Sequence, residues 1–325
     1  MSSTVREPAG GQHPGYRHDV VLFGSDADLA AASREFIVDG IAAGDLVLVH
    51  GPEHEVEVLR ASVGDDPRVV FTPNTGRYQH MMATVGQYQR LCAQENAAGR
   101  RVRSSGVVPL GPDPASQAEW MRYEALVGRV LGPFGFYGQC RYDTRTTPPA
   151  LLDLALATHE HVVTAEGTRP GPRARTAADV LDQLARPDRH PLESGPALVG
   201  LLDCRSPAAA RRAVQHALRE AGVERERAQD FVAAVNEVVS NALQHGRPPV
   251  GVNLHRGDGQ WLCVVTDRGP GVPDPWTGVD APLAADRTGV VGSGLWLARQ
   301  LCHDLVIGAR PGGGARVALF LDCSL

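Results

Sequence analysis

The segment NEVVSNALQHG, residues 236–246, carries three different polar side chains at a regular spacing of four. At about 100° per helical residue, Glu237, Asn241 and His245 fall on one narrow stripe. The adjacent stripe is apolar and consists of Phe231, Val232, Val235, Val238, Val239, Ala242 and Leu243. A carboxylate can move a proton and an amide oxygen can bind a hard cation. The stripe therefore predicts one wall of a polar cleft, with a merely solvated helix face as the alternative.

Two glycine-rich motifs follow at intervals of about 20 residues. DRGPG (267–271) places Asp267 at the end of a predicted strand and continues into a turn whose backbone N–H groups can face a ligand. GSGLWLARQL (292–301) places two glycines directly before a helix, and a helix N-terminus favours anions. Each glycine motif alone is weak evidence for a ligand-binding site, but the ordered combination of both motifs with the E-x-x-x-N helix is a specific signal.

In this order and spacing, the three motifs resemble the nucleotide-binding boxes of the GHKL (Bergerat-fold) ATPases, over roughly residues 197–323. The resemblance implies ATP and Mg²⁺ as cofactors. It implies that Asn241 is the Mg²⁺ ligand and that Glu237 is the acid/base residue that orients a water or the attacking hydroxyl.

The same resemblance assigns the remaining nucleotide contacts. Asp267 would accept a hydrogen bond from the adenine amino group, and residues 272–291 would form a lid that includes Arg287. His245 ends the helix beside the nucleotide, where its main expected role is structural support. The residues expected to approach adenine or the phosphates are Gly269, Gly271, Gly292, Gly294 and Leu295.

Within the GHKL proteins, the HG pair after Asn241 and the segment GLWLARQLCHDLVI resemble the RsbW-type branch of anti-sigma factors and serine kinases. That branch implies a protein serine/threonine kinase that acts as a switch in transcription regulation. Its partners would be a sigma factor or an anti-sigma-factor antagonist. Two alternatives stay open: a sensor histidine kinase with His159 as the phosphoryl acceptor, and a non-catalytic ATP-binding module. The Pro-rich segment that follows His159 is too short for the dimerisation hairpin of a histidine kinase.

The first half of the chain resembles the MEDS sensory domain over residues 18–165, on the segments HDVVLFGSDADL and CRYDTRTTPPALLDLALATHEH. The resemblance implies that this domain binds a small, hydrocarbon-like ligand. A Cys/His/His metal site is conceivable, but the spacings match no known ligand pattern, so packing or a pocket wall is the favoured interpretation. The candidate ligand-sensing residues are His18, Cys140, Tyr142, Asp143 and His159.

Hydrophobic periodicity separates two kinds of architecture. From residue 18 onward, strands and helices alternate, which predicts an α/β domain with a doubly wound, mostly parallel sheet. From residue 197, two helices precede an antiparallel meander, which predicts an α/β sandwich with helices on one face. The GHKL resemblance implies that this sandwich is of the Bergerat type. The expected organisation is a flexible tail (1–17), a sensory domain (18–165), a linker (166–196) and an ATP-binding domain (197–325).

Composition excludes several classes of function. All 32 basic residues are Arg, so the chain lacks the Lys that a P-loop ATPase or a eukaryotic-type protein kinase needs on the phosphates. A net charge of −5 argues against a broad nucleic-acid interface. With no long apolar run and no signal peptide, we expect a cytoplasmic protein without membrane contact, and a homodimer is compatible with the sequence.

Overall fold

The computed structural model describes residues 13–73, 80–172, 175–187, 189–257, 259–282, 293–310 and 312–323. Two compact units divide between Ala185 and Arg186. Each unit has its own sheet and its own hydrophobic core.

In the described residues of the N-terminal unit, seven strands form one sheet in the order β3-β2-β4-β5-β1-β6-β7. The six strands from β3 to β6 in this order are mutually parallel, and β7 is antiparallel to β6. The strands are β1 (Arg17–Phe23), β2 (Leu46–Gly51), β3 (Val69–Pro73), β4 (Val102–Gly106), β5 (Phe136–Asp143), β6 (His161–Thr164) and β7 (Gly167–Pro170). The helices are α1 (Asp26–Ala43), α2 (Glu53–Val63), α3 (Met81–Ala97), α4 (Pro114–Leu131), α5 (Pro149–Thr158) and α6 (Ala177–Gln183).

Local chemistry explains where these helices begin. Ser25 caps α1 by accepting a hydrogen bond from the Asp28 backbone N–H. Asp113 caps α4 by accepting from the N–H groups of Ala115 and Ser116, and Pro114 occupies a first-turn position that needs no donor. Because helices cover both faces of the parallel strands, β1 and β2 each contain an uninterrupted apolar run, VVLF in β1 and LVLV in β2.

The C-terminal unit is an antiparallel sheet in the order β11-β12-β10-β9-β8, counted over its described residues. Three helices contribute side chains to the core on one face of this sheet. The predicted fold class is confirmed for both units. The elements are β8 (Val199–Leu201), α7 (Pro207–Glu220), α8 (Arg225–His245), β9 (Gly251–Gly257), β10 (Gln260–Thr266), α9 (Ser293–Leu301), β11 (Asp304–Ala309) and β12 (Ala315–Asp322).

The segment that the sequence predicts as a linker, 166–196, contains more regular structure than its Pro-rich composition indicates. Strand β7 extends the first sheet, helix α6 packs on α4, and a short 3-10 helix spans Pro191–Ser194. In the second unit, Leu192 packs against the sheet face opposite α7, α8 and α9. Arg186 pairs with Asp304 at 2.5 Å on the same unit. Part of the predicted linker is thus a cover for the second sheet.

Replacing Leu192 with Ala tests this cover. Leu192 is half-buried, so we expect the C-terminal unit to lose about 1–2 kcal/mol of unfolding free energy. Hydrogen exchange of the β10 and β12 amides, read by mass spectrometry, should accelerate accordingly. The matched control is Leu198→Ala, because Leu198 is 60% exposed and its loss should change little. Equal exchange in both variants would contradict a packing role for this segment.

Candidate functional site

Helix α8 carries the polar stripe predicted from the sequence. Glu224 caps its start by accepting hydrogen bonds from the Glu226 and Arg227 N–H groups, each at 2.9 Å. Val235, Val238 and Val239 are buried in the core, while Glu237 and Asn241 are half-buried at the edge of that apolar face. His245 is the last residue of the helix and is exposed.

The first turn of α9 lies directly against this stripe. A β-carbon on Gly294 would lie 2.9 Å from Glu237 Oε2 and 3.3 Å from Asn241 Nδ2. Glycine is therefore the residue that lets the two helices approach at this point. The N-terminus of α9 consequently lies beside a carboxylate and an amide, and together these groups can bind an anion with its counter-cation.

Asp267 forms the other side of the site at the end of β10. It is only 6% exposed, and its carboxylate accepts a 2.6 Å hydrogen bond from the Gly269 N–H. A β-carbon on Gly246 would lie 2.6 Å from Asp267 Cγ, and one on Gly314 would lie 2.0 Å from the Asp267 carbonyl oxygen. Because these positions are glycines, the backbone packs closely around Asp267. Its carboxylate can still accept a hydrogen bond from the amino group of a ligand.

A second constellation lies inside the N-terminal unit. His18 Nε2 lies 3.3 Å from Cys140 Sγ and 3.3 Å from Glu124 Oε2, and His159 Nε2 lies 3.4 Å from the same carboxylate oxygen. The Tyr142 hydroxyl donates to Glu124 Oε1 at 3.1 Å. The parallel sheet and its helices thus gather residues that are far apart in the sequence.

Burial governs protonation in this constellation. Burial and, to a smaller extent, the neighbouring His18 lower the pKa of His159 to about 4, so the imidazole is neutral near pH 7. Burial and the Glu124 carboxylate raise the pKa of the Cys140 thiol well above its usual value. The cluster therefore holds a neutral thiol and a neutral His159 imidazole beside a buried carboxyl group.

Comparison with known families accounts for both halves. Residues 17–160 match the MEDS model, described as the methanogen/methylotroph, DcmR sensory domain. Residues 202–319 match the histidine kinase-like ATPase domain. The chain carries a MEDS domain and a histidine kinase-like ATPase domain. The two resemblances stated from the sequence are confirmed.

Solved structures with similarity to the chain include two histidine kinases and one RsbW-containing protein. The mycobacterial sensor histidine kinase MprB is 27% identical over 29% of this chain and 71% of its own, with a TM-score of 0.25. The RsbU and RsbW domains of a Mycobacterium tuberculosis protein are 22% identical over 38% of this chain and 32% of theirs, with a TM-score of 0.29. The Acinetobacter baumannii histidine kinase AdeS is 12% identical over 74% of this chain and 96% of its own, with a TM-score of 0.24. No curated protein matches the chain.

The ATPase domain brings together most of the residues singled out from its sequence. Gly294 contacts Glu237 and Asn241, and Gly269 contacts Asp267. Gly271 has a left-handed backbone with φ of 82° and Leu295 packs against the core, whereas Gly292 and Arg287 lie outside the described residues.

In the MEDS domain, His18, Cys140, Tyr142 and His159 converge, while Asp143 binds Arg145 through hydrogen bonds of 2.7–3.2 Å. Sequence reasoning missed Glu124, although a glutamate between Tyr123 and the apolar run ALV on an otherwise buried helix was an available signal.

Arg299 is a further residue that the motifs do not reveal. It is fully buried in α9, and its guanidinium donates to the carbonyl oxygens of Pro275 (2.8 Å), Thr277 (3.0 Å) and Leu305 (2.8 Å). The loop that follows Asp267 is thereby attached to the helix whose N-terminus lines the site. A charged residue inside the apolar run LWLARQL is the sequence signal for such an anchor.

None of the helices in the described part of the chain combines the length and apolar character that crossing a bilayer requires.

Substitution of Arg299 by Met should release this loop. Three backbone carbonyl groups, one buried and two partly buried, would lose a charged donor, so we expect the ATPase domain to lose about 3 kcal/mol of unfolding free energy. Hydrogen exchange over residues 274–282 should rise more than over β12. Arg212→Met is the control, because Arg212 is exposed on α7 of the same unit. Unchanged exchange in the loop would contradict the anchoring role.

Proposed function

We propose that the ATPase domain binds ATP with Mg²⁺ between α8, the Asp267 turn and the N-terminus of α9. The observation that supports this proposal is the close approach of Gly294 to both Glu237 and Asn241, because it brings the N-terminus of α9 beside a carboxylate and an amide of the kind that can ligate a hard cation. Bound Mg²⁺ supplies charge neutralisation at the phosphates.

The residues have separable roles in this proposal. Asn241 presents its amide oxygen to the cation, and the first turn of α9 presents N–H donors to the phosphate oxygens. Glu237 orients the attacking hydroxyl and accepts its proton. Asp267 accepts a hydrogen bond from the adenine amino group, and the Gly269 N–H holds the carboxylate in place. His245, exposed at the helix end, supports the α8 C-terminus.

We further propose that the chain is a cytoplasmic sensor-regulator of the RsbW type, in which the MEDS domain senses a small molecule. Its ATPase domain would phosphorylate Ser or Thr on an anti-sigma-factor antagonist or sequester a sigma factor. The support is the HG pair and the GLWLARQLCHDLVI segment in the sequence. The absence of Lys excludes a P-loop ATPase and a eukaryotic-type protein kinase as competing interpretations.

The histidine-kinase alternative meets a specific obstacle at His159. Its side chain is fully buried, its Nδ1 bonds to the Ala155 carbonyl oxygen at 2.7 Å, and its Nε2 faces Glu124. A phosphoryl group on this imidazole would require the MEDS core to open. The non-catalytic alternative predicts ATP binding without phosphoryl transfer, and the labelling experiment with γ-labelled ATP distinguishes it from the kinase proposal.

Asn241→Ala tests nucleotide binding. Loss of a ligand to a charged group costs about 1.5–3 kcal/mol, so the Mg²⁺-dependent affinity for ATP should fall roughly tenfold to a hundredfold. Isothermal titration calorimetry with and without Mg²⁺ measures this change. Asn236→Ala, one turn earlier on α8 and off the polar stripe, should leave affinity unaltered. An affinity equal to wild type in Asn241→Ala would overturn the site assignment.

Glu237→Gln tests phosphoryl transfer. The amide keeps the shape and cannot accept the proton, so we expect transfer to fall by about 10²–10⁴ with ATP affinity little changed. Transfer from γ-labelled ATP to proteins of a source-cell extract, followed by acid treatment, measures it. Acid-stable label supports Ser/Thr transfer, whereas acid-labile label supports the histidine kinase. ATP binding with no label from wild type would support the non-catalytic module.

A further inference from the structure

The interior of the MEDS domain contains four potential metal ligands from four different elements. His18 lies on β1, Glu124 on α4, Cys140 on β5 and His159 directly after α5. One donor atom of each lies within 4.8 Å of the others. Nothing in the ATP-dependent chemistry proposed above uses these residues.

Two buried atoms of this cluster that could ligate a metal lack a hydrogen-bond partner. Glu124 Oε2 and His159 Nε2 make no hydrogen bond, although Glu124 is only 1% exposed and His159 only 6% exposed. A buried carboxylate oxygen or imidazole nitrogen without a partner costs free energy. Because both atoms face the same small space, a single bound cation would satisfy them together.

The tautomer of His159 fits a metal ligand. Its Nδ1 lies 2.7 Å from the Ala155 carbonyl oxygen, so Nδ1 carries the proton and Nε2 presents a lone pair toward Glu124. A ligating histidine typically has this arrangement, with its second nitrogen bonded to a backbone carbonyl. The Tyr142 hydroxyl similarly orients the carboxylate from its other oxygen.

Three of the six donor separations also fit. In a tetrahedral zinc site with bonds of about 2.0–2.3 Å, neighbouring donors are about 3.3–3.8 Å apart. The separations are 3.3 Å from His18 Nε2 to Cys140 Sγ, 3.3 Å from His18 Nε2 to Glu124 Oε2, and 3.4 Å from His159 Nε2 to that oxygen. Three edges of the tetrahedron are thus present before any ion binds.

We propose that the MEDS domain binds one divalent ion of the zinc class through His18, Glu124, Cys140 and His159. Two imidazoles and a thiolate favour Zn²⁺ over Mg²⁺ or Ca²⁺, which prefer oxygen ligands. The ion is held by one carboxylate and one thiolate, and its binding releases the Cys140 thiol proton to solvent. The ligated ion links β1, β5, α4 and α5, and so stabilises the core of the sensory domain.

Cobalt substitution tests the proposal on the full-length, reduced protein without nucleotide. We expect one equivalent of Co²⁺ to give the visible bands of a tetrahedral site and a thiolate-to-cobalt charge-transfer band in the near ultraviolet. Zn²⁺ should bleach both. Cys140→Ser should lose the charge-transfer band, and Glu124→Gln should bind Co²⁺ at least about tenfold more weakly. Cys323→Ser and His161→Gln are the controls, since Cys323 is exposed at the chain end and His161 pairs with Asp19.

The wild-type titration decides the matter even if a ligand variant misfolds. A wild-type protein that shows no thiolate-to-cobalt band overturns the proposal. A band that persists in a folded Cys140→Ser variant, checked by circular dichroism, overturns it as well. In support, Zn²⁺ should raise the thermal midpoint of the MEDS transition in wild type and in Cys323→Ser, but not in Glu124→Gln.

Discussion

The contact between Gly294 and the polar edge of α8 is the constraint on which the ATPase domain depends. A β-carbon at this position would lie 2.9 Å from the Glu237 carboxylate and 3.3 Å from the Asn241 amide, so glycine lets the N-terminus of α9 reach the stripe without displacing these two side chains. The apolar face of α8 is buried against the antiparallel sheet, which aims the stripe at its edge toward α9. Packing of the two helices thereby brings the N-terminus of α9, which favours anions, next to Asn241, which can ligate a cation.

The rest of this domain supports that contact. Glycines at 246, 269 and 314 pack around Asp267, and a β-carbon at any of these positions would lie 2.9 Å or less from an Asp267 atom. Arg299 attaches the following loop to α9 by saturating backbone carbonyl groups with a buried guanidinium. Elements around the site are thus held by close backbone approaches at the glycines and by one long buried side chain, Arg299.

The polar cluster of the MEDS domain differs from the ATPase site, because it lies inside the domain and not at the edge of an apolar helix face. Parallel strands β1 and β5 are neighbours, so His18 and Cys140 meet although 122 residues separate them. Helix α4 adds Glu124 from outside the sheet, and the end of α5 adds His159. No local spacing motif describes such a set, since each member comes from a different element.

The sequence by itself determined the two fold classes, the order of nearly all elements, and the E-x-x-x-N stripe with its glycine motifs, because periodicity, caps and glycines act locally. It did not indicate strands β6 and β7, which are four residues each, or the packing of Leu192 on the second sheet. Only the tertiary structure decided that Glu124 joins His18 and His159, and that Arg299 holds a loop. Both are long-range contacts of buried charged groups, and such contacts depend on which elements become neighbours, which the spacing of residues along the chain does not encode.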